Sequence, residues 1–148
     1  MFKLDFGSGY NPEKGYYKCD ITRSPTIDFL FDRYSYTIID IEDSSIDLIR
    51  CKNVIHHVKD LEHLFIEFNR VLKVGGIVNI IEPTKDNYMT NKILDIIWYR
   101  FLVQRYDIWF SNNYRDYISI INKIGFVKIN EVILDKYEYL NFKKYQQI

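Results

Sequence analysis

Leu4-Asp5-Phe6-Gly7-Ser8-Gly9, followed by Asp20 inside Tyr16-Tyr17-Lys18-Cys19-Asp20-Ile21, is the stretch from which the fold can be read. An apolar strand enters a small glycine turn, and a second apolar strand ends in a carboxylate. Open parallel sheets build nucleoside sites this way. Gly7 and Gly9 let the backbone approach a ligand with no Cβ in the way. Asp20 is placed to accept hydrogen bonds from ribose hydroxyls, and Asp5 stands beside the turn, bracing it.

The spacing narrows the ligand. A dinucleotide fingerprint needs a third glycine, a helix opening on the pyrophosphate and an acid about 20 residues on. Here Pro12 occupies the third glycine position, and the interval from Gly9 to Asp20 is too short for a helix and a strand. Without a helix N-terminus the usual phosphate cradle is missing. The turn carries no Lys or Arg, so the site suits an adenosine with no phosphate and a positive charge. S-adenosylmethionine meets those conditions.

The 148 residues predict one domain spanning 1–148, and an apolar share of 47% argues against disorder. Lys plus Arg and Asp plus Glu are both 20, so no global field recruits a polyanion, and nucleic acid is not indicated. No signal-peptide pattern and no membrane-length apolar run is present, which predicts a cytoplasmic protein. Cys19 and Cys51 are expected on strands flanking the first one, about 9 to 10 Å apart, too far for a disulfide. No metal-ligand spacing appears.

Beyond the second strand, Thr26 to Asp32, Ile46 to Cys51 and Ile77 to Ile81 read as strands, and the pattern from Leu61 to Leu72 reads as a helix. Asp60 is its expected N-cap and Gly75 its expected stop. Helices are also expected from about Asn87 to Tyr106 and from a cap at Ser111 to Gly125. Strands near Phe126 to Ile133 and Tyr137 to Phe142 should then form a hairpin. Together these predict an α/β, Rossmann-like mixed sheet of about seven strands, mostly parallel, with a C-terminal antiparallel hairpin and reduced helices on one face.

Three blocks resemble the class I S-adenosylmethionine-dependent methyltransferases, in particular the small type 11 members. They are Leu4 to Gly9, Ile39 to Ile49, and Asn53-Val54-Ile55-His56-His57-Val58 through Asn69-Arg70-Val71-Leu72-Lys73-Val74-Gly75-Gly76. The resemblance implies S-adenosylmethionine as cofactor and an unidentified O or N nucleophile as methyl acceptor. It places the turn Gly7-Ser8-Gly9 along the methionine part, Asp20 on the ribose and Asp32 near the adenine amino group. A backbone carbonyl between Cys51 and Asn53 would meet the methionine amine.

His56 and His57 follow the fourth strand where the methyl would pass, and the resemblance to the family sets His57 ahead of His56 as the candidate general base. Tyr88, Met89 and Trp109 are candidates for an acceptor lid. The chain departs from the family pattern in lacking a helix between its first two strands, and the return must be nearly extended. That departure supports a rival reading, a cofactor-binding partner without catalysis. It also leaves one face short of cover, so a homodimer, or the 87–106 helix folded back, is expected there.

Overall fold

A computed structural model describes residues 1–9, 12–84 and 116–148. The strands are β1 (Lys3–Phe6), β2 (Tyr17–Asp20), β3 (Phe29–Asp32), β4 (Thr37–Ile38), β5 (Ile46–Lys52), β6 (Leu72–Pro83), β7 (Phe126–Leu134) and β8 (Tyr137–Lys144), with helices α1 (Leu61–Val71) and α2 (Asp116–Lys123). They form a single mixed sheet ordered β4-β3-β2-β1-β5-β6-β8-β7. Strands β3, β2, β1, β5 and β6 run parallel; β4, β7 and β8 are joined antiparallel.

The α/β mixed sheet and its closing hairpin are as the sequence predicts, with one strand more. The addition is β4, which turns back on β3 because the Asp32 carboxylate accepts the Tyr34 amide at 2.9 Å, and Tyr36 takes a positive φ of 53°. A short polar side chain bonding the amide two residues on is a turn device. The β7–β8 hairpin turns through Asp135, at φ 56°.

Alternation along the strands sorts the sheet into two faces. On one, Leu4, Phe6, Ile49, Cys51, Val78, Ile80, Leu140 and Phe142 are buried with Leu64, Phe65 and Phe68 of α1 and Ile121 of α2. The Phe6 ring meets Phe31 at 4.9 Å and Phe68 at 5.0 Å, both edge-on. On the other, strand register aligns Lys18, Asp5, Arg50, Asn79, Asn141 and Asn130 in one rung. Arg50 donates to Asp5 at 3.1 Å, Asn79 to Asn141 at 2.8 Å and Asn141 to Asn130 at 2.6 Å. Half-buried Leu48 and Ile77 flank that rung.

The described part of the return from β1 to β2 straps this polar face, where the Glu13 amide donates to Asp5 at 2.8 Å and the Glu13 carboxylate pairs with Arg50 at 3.1 Å. The apolar surface that motivated the homodimer expectation is therefore interrupted by a hydrogen-bonded polar row. The expected 87–106 helix, Tyr88, Met89, Trp109 and Ser111 lie outside the described residues.

Helix α1 starts where expected, with Asp60 accepting the His63 amide at 3.0 Å. It ends earlier than Gly75. Leu72 is already extended, and the buried Lys144 ammonium donates to the carbonyls of Asn69 and Leu72, both at 2.6 Å. A side-chain cation thus satisfies the helix-end carbonyls in place of a glycine cap. Asn69 donates to the carbonyls of Ile124 and Gln146, and Arg70 binds Glu67, Asp43 and the Ile41 carbonyl. The family-like Asn-Arg pair is accordingly a fastening between α1, the β4–β5 connection and the C-terminal tail.

Candidate functional site

Because five strands run parallel, their carboxyl ends share one edge, and β1 has β2 on one side and β5 on the other. A crevice opens at such a reversal of strand order, and ligands of open α/β sheets bind there. Gly7-Ser8-Gly9 leaves β1 at this edge, Asp20 ends β2, Asp32 ends β3, Asn53 follows β5, and Glu82 is the next-to-last residue of β6.

The two glycines serve different purposes. Both have positive φ, 70° at Gly7 and 55° at Gly9. A Cβ on Gly7 would lie 2.4 Å from Val54 Cγ2, so the loop after β5 packs closely against it. A Cβ on Gly9 would meet nothing within 4 Å among the described residues; Gly9 is the one that borders open space. The amides of Gly7 and Ser8 donate to the Cys19 carbonyl at 2.8 and 3.2 Å, binding the turn to β2.

Asp20 completes that attachment. Its Oδ2 accepts the Gly9 amide at 2.8 Å and its Oδ1 the Ile21 amide at 2.7 Å. Each carboxylate oxygen has a second lone pair, so Asp20 retains capacity for a hydroxyl while shaping the turn. Asp5, 2% exposed, braces the turn from below through Arg50 and Glu13. Backbone amides of Tyr34 and then Ser35 hold the Asp32 carboxyl below the usual carboxylate range, so it is ionised at the edge of the crevice.

The Cys51 side chain is buried in the core, which leaves its backbone at the end of β5. It and Cys19 flank Phe6 in register, both fully buried and unbonded, and burial pushes both thiols up. Asn53 sits just beyond, at a positive φ of 55°, with its amide donating to the Ile81 carbonyl at 2.9 Å. Two buried polar atoms at this crevice, Ser8 Oγ and Asn53 Oδ1, have no hydrogen-bond partner among the described residues.

The histidines after β5 are separated by geometry. Ile55–His57 forms a short 3-10 turn closed by the His57 amide on the Val54 carbonyl at 3.0 Å. Their rings lie 4.1 Å apart. It is His56, not the favoured His57, whose Nδ1 pairs with Glu82 Oε2, while Glu82 Oε1 accepts the amides of Val54 at 3.1 Å and Ile55 at 2.9 Å. Glu82 is 3% exposed. In the sequence Glu82 stands just past the Ile77 to Ile81 run and belongs to none of the motifs. The available signal was an acid at a strand's carboxyl end, beside the strand that delivers the two histidines.

Among the described residues no group of three or more His, Cys, Asp or Glu is arranged to hold a metal ion, and no helix is long and apolar enough to cross a membrane. A separate cleft of about 330 Å³ opens beside the start of β3, lined in part by Arg23, Ser24, Asp28 and Asp40, and shares none of the crevice residues.

The fold is the Rossmann-like fold of class I S-adenosylmethionine-dependent methyltransferases. Residues 14–80 match the type 11 methyltransferase domain family, whose cofactor is S-adenosylmethionine. No curated protein matches the sequence. The fold is similar to that of the CurJ carbon methyltransferase, at 16% identity and a TM-score of 0.68, covering 99% of this chain and 49% of that one. A protein of Pyrococcus horikoshii OT3 is similar at 18% identity and a TM-score of 0.67, covering 97% and 81%. Geranyl diphosphate C-methyltransferase from Streptomyces coelicolor A3(2), solved with Mg2+, geranyl diphosphate and S-adenosyl-L-homocysteine, is similar at 16% identity and a TM-score of 0.52, covering 71% and 50%. At these identities the likeness is one of fold.

The residues present fit that cofactor. The unpartnered Ser8 Oγ and Asn53 Oδ1 offer hydrogen bonds to its polar end, and Gly9 leaves the space a ligand would fill.

Proposed function

We propose that the chain binds S-adenosylmethionine across the β1–β5 crevice and transfers its methyl group to a nucleophilic atom of an acceptor, an oxygen or nitrogen by the resemblance, or a carbon as in the CurJ carbon methyltransferase and geranyl diphosphate C-methyltransferase. The observation that carries this reading is the pair of buried polar atoms without a hydrogen-bond partner among the described residues, Ser8 Oγ and Asn53 Oδ1, on either side of the reversal in strand order. Buried polar groups are ordinarily hydrogen-bonded, so two orphans at the ligand end of a parallel sheet argue for a ligand.

In this reading the turn Gly7-Ser8-Gly9 holds the methionine part, Asp20 the ribose, Asp32 the adenine amino group, and a carbonyl from Cys51 to Asn53 the methionine amine, with Asp5 bracing the turn. The bound cofactor supplies an electrophilic methyl on a sulfonium. The chain's own contribution is to orient it and exclude water, which is how positioning accelerates a displacement.

Titration calorimetry with S-adenosylhomocysteine tests the reading. Asp20→Ala should weaken binding by about 1.5 to 3 kcal/mol, the range for a hydrogen bond to a charged group. Gly9→Val should abolish binding while circular dichroism stays native. Wild-type protein that binds NAD but not S-adenosylhomocysteine would overturn the reading.

A further inference from the structure

We infer that the β7 edge of the sheet docks a second copy of this chain, the two β7 strands pairing antiparallel about a two-fold axis at Val132. The homodimer expected from the sequence rested on an uncovered sheet face, but a polar rung crosses that face. The exposed apolar surface lies at the end of the sheet. Val132, Ile133 and Leu134 are consecutive on β7 and are 54%, 61% and 59% exposed, and Val127 and Ile129 on the same strand are exposed as well. Elsewhere Ile66 on α1 and Val74 on β6 stand singly. Scattered apolar residues need no explanation, whereas a contiguous set marks an interaction site.

The two ends of the described sheet meet water differently. At one end β4 is two residues long and its Ile38 is buried, so it offers little to pair with. At the other, β7 is nine residues long and borders only β8 among the described strands. Native edges are usually blunted by shortness, by lysine or proline, or by a bulge. β7 has a register shift between Lys128 and Asn130, but beyond it Asn130 to Leu134 pairs regularly with β8. The one charged residue of that run, Glu131, is bonded to Lys128 at 2.7 Å, so no unneutralised charge guards the run.

The run is complementary to itself. Asn130, Val132 and Leu134 pair with Asn141, Tyr139 and Tyr137 on the face of the polar rung, and Glu131 and Ile133 pair with Leu140 and Glu138 on the helix face. Antiparallel pairing about Val132 sets Val132 opposite its own copy, Ile133 opposite Glu131 and Leu134 opposite Asn130. Each pair then shares a face, as register between strands demands. Diagonal neighbours lie about 7 to 8 Å apart; these are Leu134 with the partner's Val132 on one face and the two Ile133 side chains on the other. Any strand could supply the backbone hydrogen bonds, but a second copy brings the matching apolar set by symmetry.

The contact is short. The run spans about 17 Å of edge at about 3.3 Å per residue, which places it among weak interfaces burying less than about 1,200 Å². Its antiparallel sense sets the carboxyl edges of the two copies at opposite ends of the joined sheet, so both ligand crevices stay open.

The test uses the full chain. Sedimentation velocity should show monomer passing to dimer across about a hundredfold rise in concentration to about 0.5 mM. Val132→Lys sets like charges face to face at the axis and should keep the chain monomeric throughout. Val74→Lys, at the start of β6, should sediment as the wild type does. On oxidation Val132→Cys should form a disulfide dimer, because directly opposite Cα atoms lie about 4.5 to 5.5 Å apart, within the span of a disulfide. Leu134→Cys should not, because in this register its copy stands about 13 Å along the strand. Cys19 and Cys51 are buried and do not compete. Circular dichroism checks that every variant is folded.

A wild type that stays monomeric to the top of the series overturns the inference. So does a dimer that survives Val132→Lys, which puts the contact on another surface. Failure of Val132→Cys to cross-link, or equal cross-linking of Val132→Cys and Leu134→Cys, overturns it too, because the register is then wrong.

Discussion

On one face of the sheet Leu4, Phe6, Ile49, Cys51, Val78, Ile80, Leu140 and Phe142 are 3% exposed or less beneath α1 and α2. On the other, the middle rung reads Lys18, Asp5, Arg50, Asn79, Asn141, Asn130. Parallel sheets usually bury both faces under crossover helices. Here the described parts of the β1–β2 and β2–β3 connections contain no helix, and no apolar partner comes from them. A row of side chains that bond one another tolerates water where a row of valines would not. The same row anchors the strap that follows the glycine turn, through Asp5 and Arg50 on Glu13.

The largest effect should come from the packed face. Phe68→Ala removes a ring in edge contact with Phe6 and Phe65 and should cost about 3 to 5 kcal/mol in urea unfolding. A cost under about 1 kcal/mol would mean that this face is not where stability resides.

Asp5→Ala should come next, at about 2 to 3 kcal/mol, because it leaves the largely buried Arg50 with only Glu13 as a charged partner. It should also weaken S-adenosylhomocysteine binding, since the strap loses its attachment. Intact binding in that variant would separate the polar rung from the ligand edge.

Asn141→Leu is the sharper probe of the contrast between faces. It strips Asn79 and Asn130 of a partner and should cost about 1 kcal/mol. A gain in stability would show that this face is sealed from water in solution.

The smallest effect is acid-dependent. At the start of β5 the Asp47 carboxyl is held below its ordinary 3.8, first by Lys73 and then by the Phe2 amide. A carboxyl lowered on folding contributes stability that is fully present above its unfolded value and lost as pH falls through the lowered folded value. Asp47→Asn should therefore narrow the difference between urea midpoints measured at about pH 3 and about pH 6. An unchanged difference would remove Asp47 from the acid response.

Much of this protein was local in the sequence. The strand, glycine turn and acid of residues 4–20, the spacing of apolar residues that buries one side of α1, the Asp60 cap and the two-residue hairpin turn each depend on neighbours a few positions apart, where backbone sterics and side-chain period act directly. The carboxyl-edge location of Gly9, Asp20, Asp32 and Asn53 followed from the strand order those signals imply. What only the tertiary structure decided was the partnering of distant groups. His56 meets Glu82 across 26 positions and Lys144 meets Asn69 across 75, and the polar rung draws one residue from each of six strands. The sequence could not pair His56 with Glu82, set Val54 against Gly7, or end α1 at Val71, because side-chain alternation and helical period say which way a residue points, while register between strands far apart in the chain determines what it meets.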